Sequence, residues 1–163
     1  MSARSAPANL LPPPKKRPQR PAPTRARVNL IRMAESPCPF CPPPEERVFY
    51  EDDLILGLWD GFPINPGHAL LVPRRHVATW EEATSEEQRS LTTAVVIAQQ
   101  EIRKNHRPDG FNVGMNLGPA AGQTVPHLHL HVIPRYLGDV PDPRGGVRWV
   151  VPDRADYWSA RRS

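Results

Sequence analysis

His127-Leu128-His129-Leu130-His131-Val132-Ile133, closed by Pro134, alternates three imidazoles with aliphatic side chains. In an extended strand the side chains point to opposite faces with period two. The three histidines therefore share one face, and Leu128, Leu130 and Val132 share the other. The aliphatic face suits a packed core. The histidine face is unsuited to an ordinary one, because buried imidazoles need hydrogen-bond partners. Half of the six histidines in the chain stand in this row.

Two kinds of chemistry use such a row. Alternate histidines can share a metal ion. An imidazole can also act as nucleophile toward a phosphate, with its neighbours as acids or donors. Histidine suits that second role because it is mostly neutral at pH 7. The plain alternative is a coincidental polar face. The residues just upstream bear on the choice. Asn116-Leu117-Gly118 and Gly122-Gln123-Thr124-Val125 frame a loop with glycines at both ends. Glycine permits close backbone approach to a ligand, and Asn, Gln and Thr offer neutral donors to phosphate oxygens.

Further out, Phe111 to Asn116 reads as a strand, and Pro108-Asp109-Gly110 turns the chain before it. Leu91, Ala94, Val95, Ala98 and Ile102 recur at helical spacing. That helix starts at Thr84 or Ser85, where Thr84/Glu87 or Ser85/Gln88 fits a capping box. Its last turn carries Arg103, Lys104 and His106, which suits the dipole. Val48-Phe49-Tyr50, Leu54 to Trp59 and Ala69 to Val72 read as three more strands. Strands joined by short turns around one long helix predict an α+β domain with an antiparallel sheet. Beyond Arg135 the chain is rich in Gly, Pro and Arg, with Trp149 and Trp158 as anchors.

At 163 residues the chain has room for one core. No run of about 18 apolar residues predicts a membrane span. The N-terminus lacks a secretory h-region, and two cysteines make no disulfide framework. These features set the expectation of a cytoplasmic protein. The net charge of +4 is unevenly placed. Residues 1–34 hold eight basic residues and no acid; the eight taken from 21 leave 13 against 17 acidic ones, a net of −4. Prolines are dense in this tail and large apolar residues few, so 1–34 is read as disordered and 35–163 as the folded domain. The tail is either a solubilising extension or a weak, salt-sensitive contact for nucleic acid. It is too proline-dense for the amphipathic helix of a transit peptide.

Cys38-Pro39-Phe40-Cys41 is the second constellation. In a reducing compartment Cys-x-x-Cys is a metal half-site or a redox pair more often than a structural disulfide. Two free thiols beside the core are the third reading. A tetrahedral zinc site needs two further ligands from elsewhere.

The histidine row resembles the His-φ-His-φ-His-φ-φ signature of the histidine triad (HIT) superfamily, where φ is a hydrophobic residue. The resemblance extends through Asn116 and Gly122-Gln123-Thr124, to Asp60, and to Pro66-Gly67-His68-Ala69-Leu70-Leu71-Val72-Pro73-Arg74-Arg75-His76. It covers roughly residues 36–136, with the motifs in the family's order. It implies a HIT-like α+β fold with an antiparallel sheet, usually dimerised. It also implies nucleotide binding and cleavage at the α-phosphate, on substrates such as diadenosine polyphosphates.

By this resemblance His129 is the nucleophile and His131 the neighbour that assists the leaving group. Asn116, Gln123 and Thr124 fall on phosphate-contacting positions. Asp60 falls where the ribose hydroxyls are held, and a carboxylate can accept from both. Trp59 and Leu58 line the base pocket or belong to the sheet core. His68 reads as a structural hydrogen-bonding residue. The zinc-containing, bacterial-type members imply a structural site of Cys38, Cys41, His76 and His127, with no catalytic metal required. Arg144-Gly145-Gly146-Val147-Arg148-Trp149 resembles segments that follow the triad in some bacterial members; it is either a surface loop or a segment from which Arg144 or Arg148 reaches a distal phosphate. The alternatives are a phosphoramidase, a dinucleoside polyphosphate phosphorylase, a nucleotide-binding regulator with little turnover, and a nucleic-acid-end processing enzyme. A nucleotide substrate and a second copy of the chain are the expected partners.

Overall fold

Apolar residues on both faces of the central strands decide the packing. The structure is a computed structural model that describes residues 38–158. The basic tail and its expected disorder lie outside the described residues. Strands β1 (Val48–Glu51), β2 (Ile55–Trp59) and β3 (Ala69–Pro73) precede helix α1 (Ser85–Asn105). Strands β4 (Gly110–Gly114) and β5 (Leu130–Arg135) follow it. The sheet order is β1-β2-β3-β5-β4, and every neighbouring pair is antiparallel. This is the expected α+β architecture.

Period-two alternation sorts the strands into two cores. Ile55, Ala69, Leu71, Leu128, Leu130 and Val132 turn toward α1. The helix meets them with Leu91, Ala94, Ala98 and Ile102, all buried. Leu56, Leu58, Leu70 and Val72 turn the other way and are covered by Phe40. Each large side chain so buried contributes roughly 1.5–3 kcal/mol. The second face is the one that carries the histidines.

The helix takes the first of the two caps. Thr84 Oγ1 accepts from the Glu87 amide at 3.2 Å, and Glu87 Oε2 accepts from the Thr84 amide at 2.7 Å. Gln88 instead donates to the carbonyls of Trp80 and Ala83. The buried Glu87 carboxylate also takes two bonds from Arg75, at 2.7 and 3.0 Å. Arg75 lies two residues beyond β3, so this pair fixes the path of the chain past His76 into the helix.

Two boundaries differ from the sequence reading. The histidine row is strand only from Leu130 onward. β3 pairs with β5 only as far as Leu71↔Leu130. Beyond that point the Leu128 amide donates to Val77 O at 2.6 Å, and the His127 side chain bonds the Pro73 carbonyl. Proline has no N–H for the ladder, so the pairing ends there, although the alternation of faces persists. Similarly β4 stops at Gly114 rather than Asn116, because Gly114 pairs with His131 and the ladder runs out one residue later. Among the described residues no helix is long and apolar enough to cross a membrane.

The Thr84→Ala variant is expected to lose about 1 kcal/mol of stability, measured by urea unfolding. Glu87 is held below the usual carboxylate value, chiefly by Arg75. A depressed pKa contributes stability above the unfolded value and loses it as pH falls through the folded one. Glu87→Gln is therefore expected to be clearly destabilised at pH 7 and much closer to wild type at pH 3.

Candidate active site

The site begins with His127, which is fully buried. Its Nε2 lies 2.8 Å from the Pro73 carbonyl oxygen. A carbonyl only accepts, so Nε2 carries the proton and Nδ1 keeps its lone pair. That lone pair faces Cys38 Sγ and Cys41 Sγ, each at 3.3 Å. His76 Nδ1 lies 3.4 Å from Cys41 Sγ. The four ligand atoms lie within 4.8 Å of one another. Tetrahedral zinc with ordinary Zn–S and Zn–N bonds sets S···N distances of about 3.6 Å. The donor set and spacing thus suit a four-coordinate zinc ion. Burial and the adjacent Cys38 push the Cys41 thiol up to about 11, and a bound cation is what deprotonates such a thiol.

His129 is the next inward residue on this face. Its Nδ1 lies 2.7 Å from the His127 carbonyl oxygen. By the same argument Nδ1 is protonated, and Nε2 holds the lone pair a nucleophile needs. Phe40, from the cysteine loop, packs against both rings, with centroids 5.6 Å from His129 and 5.7 Å from His127. The loop that gathers the thiols therefore also fixes the imidazole beside them.

On the other flank, His131 lies 5.1 Å from His129, centroid to centroid. Its Nδ1 is 3.0 Å from His68 Nε2, and His68 Nδ1 is 3.2 Å from Asp60 Oδ2. Asp60 is further held by the Phe62 amide on Oδ1 at 2.9 Å. Both the Asp60 carboxylate, at 3.2 Å, and the Ile64 amide, at 3.4 Å, face His68 Nδ1. With the closer carboxylate as acceptor, His68 donates from Nδ1 to Asp60 and accepts His131 Nδ1–H at Nε2. His131 Nε2 then keeps a lone pair. Burial, then the neighbouring His129 and His68, lower the His131 pKa to about 4. Burial also lowers His68, against the opposing pull of Asp60. His131 and His68 line one end of a cavity of about 580 Å³, together with Asn112, Asn116 and Ile133.

The other expected site residues separate. Asn116 lies in that cavity beside His131. Thr124 is exposed on the preceding loop. Gln123 is bound up in the loop itself: Nε2 donates to the Ala78 and Val125 carbonyls, and Oε1 accepts the Gly118 amide. Its side chain shapes the loop rather than offering donors to a phosphate. Trp59 is not brought to the site. It packs into the helix-side core, 4.5 Å from the Phe49 ring, because β2 alternation places it with Ile55, opposite Leu58. Leu58 is fully buried beneath Phe40 on the histidine face. Asp60 reaches the site through His68, a link that sequence spacing does not reveal. Phe40 was also missed as a ring contact; its place between the two cysteines was the available signal. Arg144 and Arg148 are both engaged within the C-terminal segment, on Asp142 and on the Ala155 and Arg154 carbonyls.

The sequence model of the HIT domain family matches residues 44–138. The chain belongs to the HIT domain family. An AP-4-A phosphorylase from Mycobacterium tuberculosis is 42% identical over 87 residues, which cover 53% of this HIT chain and 45% of that protein. A bis(5'-adenosyl)-triphosphatase from Saccharomyces cerevisiae is 36% identical over 115 residues, covering 69% of this chain and 52% of that one. The HIT chain thus spans about half the length of the curated relatives it matches. The crystal structure of a Zn-bound histidine triad family protein from Mycobacterium smegmatis superposes with a TM-score of 0.54 at 29% identity. The match covers 76% of this chain and 88% of that one.

In an NMR titration, His131 is expected to stay neutral down to about pH 4. Asp60→Asn removes the carboxylate that holds the two rings up, so both His68 and His131 should then titrate at lower pH still. A His131 that titrates near 6.5, the free imidazole value, would contradict this geometry.

Proposed function

We propose that this HIT domain cleaves dinucleoside polyphosphates at an α-phosphorus by way of a nucleotidyl-His129 intermediate. The observation that carries the reading is the bond from His129 Nδ1–H to the His127 carbonyl, which leaves Nε2 as the nucleophilic lone pair next to a second, half-buried imidazole, that of His131. The relatives named as a phosphorylase and a triphosphatase of such compounds support the substrate class.

The steps follow from the proton positions. His129 Nε2 attacks the α-phosphorus, a phosphorus–nitrogen bond forms, and the bond to the leaving oxygen breaks. A proton entering the Asp60–His68–His131 chain protonates His131 Nε2, and bound phosphate charge raises its pKa toward neutrality. His131 passes this proton to the leaving oxygen. In the second half, its lone pair takes a proton from water as the water attacks phosphorus and releases His129. One ring serves as acid and then as base. Asn116 is the neutral donor beside the phosphates. The pentacoordinate charge is stabilised by positioning and by fixed hydrogen bonds.

The same reading assigns a structural zinc ion to Cys38, Cys41, His76 and His127. Four protein ligands leave it no position for a substrate. Bound there, it joins the cysteine loop to the segment that carries the nucleophile. A homodimer belongs to the reading as well: β4 is an outer strand of the sheet, and an unpaired strand edge is a template for another chain.

His129→Ala is expected to abolish turnover with an unchanged circular dichroism spectrum, while wild-type protein accumulates a labelled nucleotidyl-enzyme in a single turnover. Wild-type rates in the variant would refute the mechanism. Metal analysis of the purified protein is expected to give one zinc per chain, lost in Cys41→Ser together with a lowered melting temperature.

A further inference from the structure

His131 meets whatever group leaves, because a proton donor and its acceptor must touch. The leaving group therefore lies on the His131 side of His129, away from Phe40 and the cysteine loop. On that side the 580 Å³ cavity continues past Ile64, Asn112, Ile133 and Gly146, which it shares with a second cavity of about 510 Å³. The roof of both is the C-terminal strap, a 3₁₀ turn at Gly146–Val150. Val147 and Val150 line the first cavity and Trp149 the second.

The strap is held by its own arginines. Arg144 is paired with Asp142 and stacked over Trp158, 4.7 Å from the ring centroid. The Trp149 indole N–H donates to the Arg144 carbonyl at 2.7 Å, which fixes the ring. Almost half of the Trp149 surface nevertheless remains open. The second cavity offers little to a bare phosphate. Arg135 is the one cation among its described lining residues, bonded twice to Asp139 and once to Asn112 Oδ1. Ile64, Ile133, Val140 and Trp149 supply its apolar walls, and its two carboxylates, Asp139 and Asp142, are engaged by Arg135 and Arg144. Two amide groups complete it. Asn65 uses Nδ2 on the Pro134 carbonyl and Asp139, which leaves Oδ1 as an acceptor. Asn112 accepts from Arg135 at Oδ1, which leaves Nδ2 as a donor. An aromatic face, aliphatic walls and one donor–acceptor pair suit a nucleobase.

We propose that the cavity beneath the C-terminal strap binds the nucleoside of the leaving group, with its base against Trp149 and its edge on Asn65 and Asn112. The chain then selects substrates with a nucleoside at both ends over those that release a small group. This inference rests on the nucleotidyl-transfer reading above, and the test separates the two. Initial rates are measured on diadenosine tetraphosphate and on adenosine 5'-phosphoramidate, whose leaving group cannot reach the strap. Trp149→Ala is expected to raise KM for the tetraphosphate about tenfold, with Trp149→Phe restoring most of it. KM for the phosphoramidate should move by less than about twofold, since the lost contact is remote from it. Val140→Asp, in the wall of the second cavity and at a position 38% exposed, should also raise KM for the tetraphosphate selectively. Equal changes for both substrates, or no change for either, would overturn the strap site. The nucleotidyl-transfer reading fails separately, if wild-type protein forms no nucleotidyl-enzyme with either substrate.

Discussion

Everything at the histidine face depends on how His127 is bonded. Its Nε2–H is anchored on the Pro73 carbonyl, its Nδ1 faces two thiols, and its own carbonyl holds His129. One residue thus fixes its own tautomer and that of the neighbouring His129. The anchor exists because the β3–β5 ladder stops short of Pro73, leaving a carbonyl for a side chain to take. A longer ladder would have paired that carbonyl with backbone and left the imidazole without its partner.

The two flanks of His129 are built differently, and the chemistry divides accordingly. Toward His127 the surroundings are Phe40, thiols and a buried aliphatic cluster, which suit fixed positioning and a metal with a complete ligand set. Toward His131 they are a carboxylate-backed pair of imidazoles and an open cavity, which suit proton traffic and a departing group. Low effective dielectric strengthens both sets of bonds. Burial also lowers the pKa of His127, His131 and His68, which favours their neutral forms.

Much of the frame was legible in the chain because it depends on local periodicity. The α1 stripe from Leu91 to Ile102, the Thr84/Glu87 cap and the alternation through Val132 need only short-range geometry to read. What failed to read were contacts set by pairing across the sheet. Trp59 looked as good a pocket residue as Leu58, and only strand phase relative to α1 sends it to the other core. Gln123 looked like a phosphate donor, yet its amide is needed to close the loop onto Ala78. Arg144 and Arg148 read as candidates for a distal phosphate, and the fold of the C-terminal segment engages both.

By itself, the sequence determined the faces: period-two alternation is intrinsic to an extended chain, so three histidines had to stand together opposite three aliphatic residues. It also determined the order of the motifs, and with it the α+β class. The tertiary structure alone decided that the row splits into two tautomers, Nε2–H at His127 and Nδ1–H at His129 and His131. A histidine's tautomer is set by the partner of its other nitrogen. Here those partners are Pro73, the His127 carbonyl and His68, and the two that come from β3 and its approach are brought in by folding.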